Sequence, residues 1–360
     1  MGVSEGLALV FLNTFPRMFL TRPAQTIELN AGLAWFAAAC PLITVLIPVC
    51  MLLYVFQRTQ GDIYAVTRQL LGKAGAWVVS LLLILMFLSD AALLLRQFAE
   101  NTLLTALPFM EFNNALSWYT VNAVILCYLG IECIARTAYI ILPFGVASLG
   151  FVMAALTPFY DINLVGPWQG QGISTAIQSG IAVSGINFGV LLLFVLGPVF
   201  QNLRTIKRAA LFGMGGSTLL KALSIFVFTL TFGTKVALEK TIPFFEMARL
   251  VYLNRYVQRV ESLFIVLWVI AGIMGIAIDI YMAGYLLTRV LNLSTPRPLI
   301  ASLALLVTGI AMIPPDIASV IRLDTVITLT LHNAGLYGIP ALLFAATIFK
   351  GRKKKSWTSA

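Results

Sequence analysis

Charge is scarce in this chain of 360 residues: 11% are charged and 60% hydrophobic. A soluble protein carries about 25% charged residues, so this composition cannot supply the polar shell of a water-soluble domain. Disorder is excluded as well, because long apolar stretches do not stay solvated. There is one histidine, and the four cysteines (Cys40, Cys50, Cys127 and Cys133) form no C-x-x-C pair. That leaves no ligand set for a metal and no disulfide framework, so the cysteines read as small buried hydrophobes. Also missing are a P-loop, zinc-ligand spacing and a nucleophile–base pair. No catalysis and no cofactor are expected. The surplus of 24 basic over 14 acidic residues forms no basic stripe with interleaved aromatics, which excludes nucleic acid as a partner. What is present in quantity is apolar sequence. The chain reads as an all-α polytopic membrane protein.

Crossing about 30 Å of hydrocarbon takes roughly 20 mostly apolar residues. Runs without charge lie at 31–56, 137–160, 298–315 and 325–349. Three more contain a single charge: 74–95 with Asp90, 209–234 with Lys221 and 262–288 with Asp279. The stretch 115–131 is shorter, and 162–203 reads as an interfacial segment followed by a span over 179–203. A run at 6–21, interrupted by Pro16 and Arg17, completes ten spans; it lacks the basic region and Ala-x-Ala site of a signal peptide. Short loops with Arg58, Arg68, Lys73, Arg136, Arg204, Lys207, Arg208, Arg289 and Arg297 share a side with the tail, Lys350 and Arg352 to Lys355. By the positive-inside rule both termini are cytoplasmic, with the tail at anionic lipid. One membrane domain therefore divides into a five-span half over 1–160, a second over 161–349 and a basic tail over 350–360.

Spans 1 and 6 both carry helix-breaking chemistry near mid-depth: Asn13-Thr14-Phe15-Pro16 and Ser184-Gly185-Ile186-Asn187-Phe188-Gly189. They occupy matching places in the two halves, the sequence pointer to a transporter-type binding site built from an inverted repeat. Unwound backbone at membrane depth must line a cavity or find polar partners. Close packing of small residues is the other reading, but Asn187 adds a side chain that packing does not need. A charge at a helix centre costs roughly 2.5–3.5 kcal/mol on insertion scales, so Asp90, Lys221 and Asp279 each invite a partner or a function. They read either as a relay or zwitterion contact, or as a Lys–Asp pair fixing register, with Asp90 alternatively snorkelling outward. His332 beside Asn333 reads as a packing residue. In the connection after span 7, Pro243 to Leu250 reads as a short helix with Glu246 and Arg249 paired at i, i+3. Arg255 and Arg259 share a face beyond it, and Glu261 opens span 8.

Phe245-Glu246-Met247-Ala248-Arg249-Leu250 and the stretch Arg259-Val260-Glu261-Ser262-Leu263-Phe264-Ile265-Val266-Leu267-Trp268 resemble the signature of spore germinant-receptor B subunits, the spore permease family. Asn187-Phe188-Gly189 with Gly197-Pro198, and Glu132 to Arg136, are similar to it too. The resemblance covers essentially the whole chain. It implies the amino acid–polyamine–organocation superfamily, whose leucine-transporter-like fold is a five-plus-five inverted repeat with helices 1 and 6 broken. It further implies a nutrient sensor in the spore inner membrane, working with an A subunit and a lipoprotein C subunit on an amino acid or similar small germinant. A proton-coupled amino-acid permease is the alternative. In such a fold the pocket lies between spans 1, 3, 6 and 8, which puts Phe87, Trp268, Ala271 and Gly272 beside Asn13, Thr14, Phe15 and Ser184 to Gly189. One departure stands out: Pro16-Arg17 replaces the small residues expected in the first helix.

Overall fold

In hydrocarbon no water is available to backbone N–H and C=O groups, so a crossing segment must satisfy them internally as a helix. The computed structural model describes residues 1–20, 22–240, 242–252 and 260–350, and all regular structure among them is helical. Arg255, Arg259 and the tail from Arg352 to Lys355 lie outside the described residues. In chain order the helices are α1 (Val3–Thr14), α2 (Arg22–Asn30), α3 (Ala34–Ala39), α4 (Pro41–Thr44), α5 (Leu46–Phe56), α6 (Ile63–Thr105), α7 (Phe112–Leu129) and α8 (Ile131–Ala155). There follow α9 (Ile173–Ala182), α10 (Leu192–Val195), α11 (Leu203–Ala237), α12 (Pro243–Leu250), α13 (Glu261–Leu291), α14 (Arg297–Ala311), α15 (Ile317–Ile327) and α16 (Ile339–Phe349).

Seven stretches among the described residues are long and apolar enough to cross a membrane: Pro23–Phe56, Ile63–Thr105, Ile131–Ala155, Ile173–Val195, Leu203–Ala237, Phe264–Leu291 and Ile317–Phe349. The apolar helices α1 and α14 are shorter. Helices outrun the apolar runs because polar caps lie beyond them. Asp62 accepts from Ala65 N at 2.8 Å, Asn202 from Thr205 N at 2.8 Å and Asp316 from Ser319 N at 2.7 Å. Large apolar side chains such as Ile140, Phe144, Phe212 and Leu305 point outward, a surface suited to lipid.

Helices α6 and α13 form the central pair, and α1 packs against α11, α8 and α13. At one end of the pair Asp62, itself buried, does two jobs. Besides capping α6 it pairs with Arg289 near the end of α13 and accepts from the Tyr285 hydroxyl at 3.2 Å. Ten residues after Asp62, Gly72 takes φ +80°, so α6 bends there.

The end of α1 and the stretch from α9 to α10, the expected spans 1 and 6, depart from α geometry, though not by unwinding at the expected residues. Thr14 ends α1 in helical backbone, and Phe15 continues helical into a 3₁₀ turn over Pro16–Phe19; Leu20 is the extended residue. Pro16 opens that turn, where its missing N–H breaks no bond. Ile186 sits inside a 3₁₀ run over Val183–Leu191 that joins α9 to α10. A 3₁₀ run keeps i→i+3 bonds, so the backbone stays satisfied without water. Opposite it, α15 passes into α16 through π-helical turns at Thr328–His332 and Ala334–Gly338. The 3₁₀ and π stretches pack on each other. A Cβ on Gly185 would lie 2.6 Å from the Thr328 carbonyl oxygen, so only glycine admits this approach.

Candidate functional site

Two positive and two negative side chains from four helical segments are buried at the centre of the bundle. Arg17, in the 3₁₀ turn after α1, forms an ion pair with Asp90 of α6. Its Nη1 donates to the Ile186 carbonyl at 3.3 Å and to the Asn13 carbonyl at 3.4 Å, and its guanidinium lies 5.5 Å from the Phe188 ring centroid. Asp279 of α13 is within electrostatic reach of Arg17 and accepts from Asn13 Nδ2 at 2.6 Å. Lys221 of α11 donates to Asn187 Oδ1 at 3.3 Å, and Asn187 Nδ2 donates to the Ser184 carbonyl at 3.3 Å. One turn of span 1 thus reaches α6, α13 and the 3₁₀ run together. Opposite charges thus meet at Arg17 and Asp90, where burial would leave either one alone at a high cost.

Around them, polar groups tie the segments together. Thr14 Oγ1 donates to the Val10 carbonyl at 2.9 Å and lies 3.1 Å from Ser217 Oγ of α11. The Ser184 hydroxyl lies 2.7 Å from that of Tyr337, and Asn333 Nδ2 donates to the Ala182 carbonyl at 2.5 Å. Phe87 and Phe188 meet with centroids 5.3 Å apart, and His332 stacks on Phe188 at 4.4 Å. Gly189 lies against Asn13: a Cβ there would come 2.7 Å from Asn13 Cγ.

Asn13, Phe87, Ser184, Ile186, Asn187, Phe188 and Gly189 therefore gather in one neighbourhood, with Thr14 and Gly185 in contact with its walls. Trp268, Ala271 and Gly272 do not reach it. Gly272 packs on Phe98, and the Trp268 ring lies 5.2 Å from Phe98. Phe15, Trp268 and Ala271 instead line a separate apolar crevice of about 30 Å³ beside α8, room for about one water. Glu261, at the first turn of α13, opens the helix far along the chain from Asp279. Asp90 does not snorkel; it is fully buried and paired. A larger cavity of about 260 Å³, lined by Gln25, Glu28, Asn30, Ser179 and Thr325, touches this neighbourhood through Ile186. In the connection between α11 and α13, Arg249 and Glu246 of α12 pair at 3.6 Å, as the spacing predicts.

Arg17 stands out in the sequence only as a departure with no partner or role, because beside Pro16 it reads as an interruption of a weak span. The available signal was an unpaired Asp90 at similar depth two spans later. Lys221→Met is expected to lower the melting temperature of the purified protein. It removes a charged donor from buried Asn187, an interaction worth about 1.5–3 kcal/mol. An unchanged melting curve would show that Asn187 does not depend on that ammonium.

The apolar helices and the buried polar centre define an all-helical, multi-pass membrane protein. Mhp1, a nucleobase-cation-symport-1 family transporter solved in a closed conformation with bromovinylhydantoin bound, superposes with a TM-score of 0.72 at 14% identity, covering 97% of this chain and 78% of that one. MhsT in complex with L-phenylalanine gives a TM-score of 0.65 at 14% identity, covering 97% of this chain and 89% of that one. Both have the leucine-transporter fold, and at this identity the likeness is one of fold. The family described as spore germination protein matches residues 3–320, and the chain belongs to that family. Spore germination protein KB of Bacillus subtilis (strain 168) is 26% identical over 223 residues, 59% of this chain. The match spans 58% of that relative's length.

Proposed function

We propose that the chain is the B subunit of a germinant receptor, binding a small solute at mid-depth and signalling through an A subunit and a lipoprotein C subunit. In this reading it lies in the spore inner membrane with both termini cytoplasmic. Its ten spans form two inverted halves, 1–160 and 161–349, and the 3₁₀ stretches of spans 1 and 6 flank the pocket. One observation carries the reading: the non-α stretches of spans 1 and 6 meet buried polar groups of α6, α11 and α13 in a member of the spore germination family. The cavity of about 260 Å³ over Ile186 is the entry side. Asn187 and the backbone around Ile186 hold the polar end of the ligand, and Phe87 and Phe188 shape its apolar end. An amino acid is the solute class we favour, and L-phenylalanine in MhsT is a precedent on the same fold.

The second reading, a proton-coupled permease, draws on the transporter fold and the buried carboxylates. Full-length protein in lipid nanodiscs, titrated with single amino acids, sugars and nucleosides, tests the binding. A charged hydrogen bond lost in Asn187→Ala costs roughly 1.5–3 kcal/mol, or about 10- to 160-fold in affinity. Spores carrying that variant should need a correspondingly higher nutrient concentration at unchanged protein level. A wild-type response would move the pocket elsewhere. Uptake of the bound solute into proteoliposomes would favour the permease.

A further inference from the structure

Away from the buried charges, an open cavity of about 660 Å³ lies between the first two turns of α6 and the last turn of α13. Its walls hold Arg68 and Arg289 with Gln69 and Asn292, and no acidic side chain. Arg289 is set in place from behind. Its Nε pairs with buried Asp62, its guanidinium lies 5.8 Å from the Tyr285 ring centroid, and its terminal nitrogens hydrogen-bond to no described residue. Arg68 is exposed and has no ion pair among the described residues. Asp62 offsets one of the two charges, so the pocket keeps one positive charge in excess. The Thr288 carbonyl, which would otherwise repel an anion here, accepts from the N–H groups of Asn292 and Leu293. Leu291 and Leu293 stand exposed beside the arginines. Apolar and cationic side chains exposed together, where the apolar runs 74–95 and 262–288 stop, suit the level at which acyl chains meet headgroups.

We infer that this cavity binds a phosphate group carrying net negative charge, supplied by an anionic phospholipid headgroup or by free phosphate. The planar edge of Arg289 offers paired donors that match two phosphate oxygens, and its fixed position lowers the cost of ordering it on binding. Arg68 supplies the charge that Asp62 leaves uncompensated. That excess discriminates between lipids. Phosphatidylglycerol brings one net negative charge, whereas the choline of phosphatidylcholine cancels its own phosphate. The exposed leucines favour the lipid as the source. A headgroup seated there would touch the arm of α6 before Gly72 and the end of α13 at once, so membrane composition would bear on how this central pair of helices meets. The site needs neither a germinant nor partner subunits, and it stands or falls apart from the sensor reading.

The test titrates full-length protein in detergent with short-chain phosphatidylglycerol, phosphatidylcholine of the same chain length, inorganic phosphate and a glutamate-rich peptide, read by calorimetry and melting curves. Both ends of the protein are accessible in detergent, so the sidedness of the termini does not enter. The wild type should bind phosphatidylglycerol about fivefold more tightly than phosphatidylcholine, the scale of one basic residue at a membrane surface. Arg68→Gln should abolish that preference, and Arg68→Lys should keep most of it. Arg204→Gln, exposed in the first turn of α11 and outside the cavity, should leave it at the wild-type value. Inorganic phosphate that displaces the lipid assigns recognition to the phosphate alone. Lipid binding that resists inorganic phosphate assigns it to the whole headgroup at the membrane, and either result upholds the site. A wild type that binds the two lipids equally overturns it, a readout that needs no variant. So does a preference that survives in Arg68→Gln, or one that Arg204→Gln removes equally, since the attraction is then spread over the surface. Binding of the peptide but not of phosphatidylglycerol, lost in Arg68→Gln, overturns it too and gives the pocket to an acidic protein segment.

Discussion

Gly189→Ala should remove most of the folded protein. The added Cβ would arrive 2.7 Å from Asn13 Cγ, inside contact distance, and Asn13 is fully buried. Asn13 cannot swing away without loosening its 2.6 Å bond to Asp279. Overpacking costs typically about 1–3 kcal/mol, and a hydrogen bond to a charged group about 1.5–3. The sum is a large part of a net stability of about 5–15 kcal/mol. The contrasting substitution is Gly309→Ala in α14, where a new Cβ meets nothing within 4 Å. There helix propensity favours alanine by about 1 kcal/mol. Folded yield by fluorescence-detected gel filtration and melting temperature should separate the two variants sharply. Equal yields would mean that span 1 and the 3₁₀ run are not in the contact described.

The second large effect is expected at Asp279. Removing one partner from a buried charge cluster costs about 3–5 kcal/mol because the other charge stays behind. In Asp279→Leu, Asn13 Nδ2 loses its acceptor and Arg17 one of its two carboxylates. Asp279→Asn keeps an acceptor and loses only the charge, so its melting temperature should fall between leucine and wild type. Exposed charges give the scale. Arg136 and Glu132, 3.9 Å apart with most of both side chains in the open, should tolerate Glu132→Ala within about 1 kcal/mol. Coinciding melting curves for Asp279→Leu and Asp279→Asn would assign the effect to charge alone; a neutral Asp279→Leu would remove it from the cluster.

The apolar segments were legible because a lipid-facing helix must be apolar over a length set by the bilayer, and runs such as 31–56 and 325–349 state that length directly. Their ends were less so: α6 begins at Ile63, well before Ala74, because the cap at Asp62 lies outside the apolar run. The site was partly legible. Breaker residues in a helical context mark Asn13 and Ser184 to Gly189 without reference to any partner. Which charge meets which is a matter of distance between spans, and one chain read alone carries no such distance. Asp90 could be matched with Lys221 or with nothing; its partner is Arg17. Trp268, Ala271 and Gly272 were placed by counting along α13, and there one turn decides the outcome. Asp279, about two turns beyond Gly272, is the residue that faces Asn13.

The double duty of Asp62 has a mechanical corollary. One carboxylate both closes the first turn of α6 and grips Arg289, ten residues along α13 from Asp279, or about 15 Å at the helical rise. The short arm of α6 before Gly72 is thereby riveted to α13. Gly72, at φ +80° with open space where a Cβ would stand, is a swivel that strains nothing. The long arm of α6, bearing Asp90, packs on that same helix, with Phe98 against Gly272 and Leu94 against Gly275, so α13 holds both arms of α6 across the bend. The two acids beside Arg17 thus stand on helices clamped to each other on both sides of Gly72, and the bend sets the direction of the short arm without loosening that clamp.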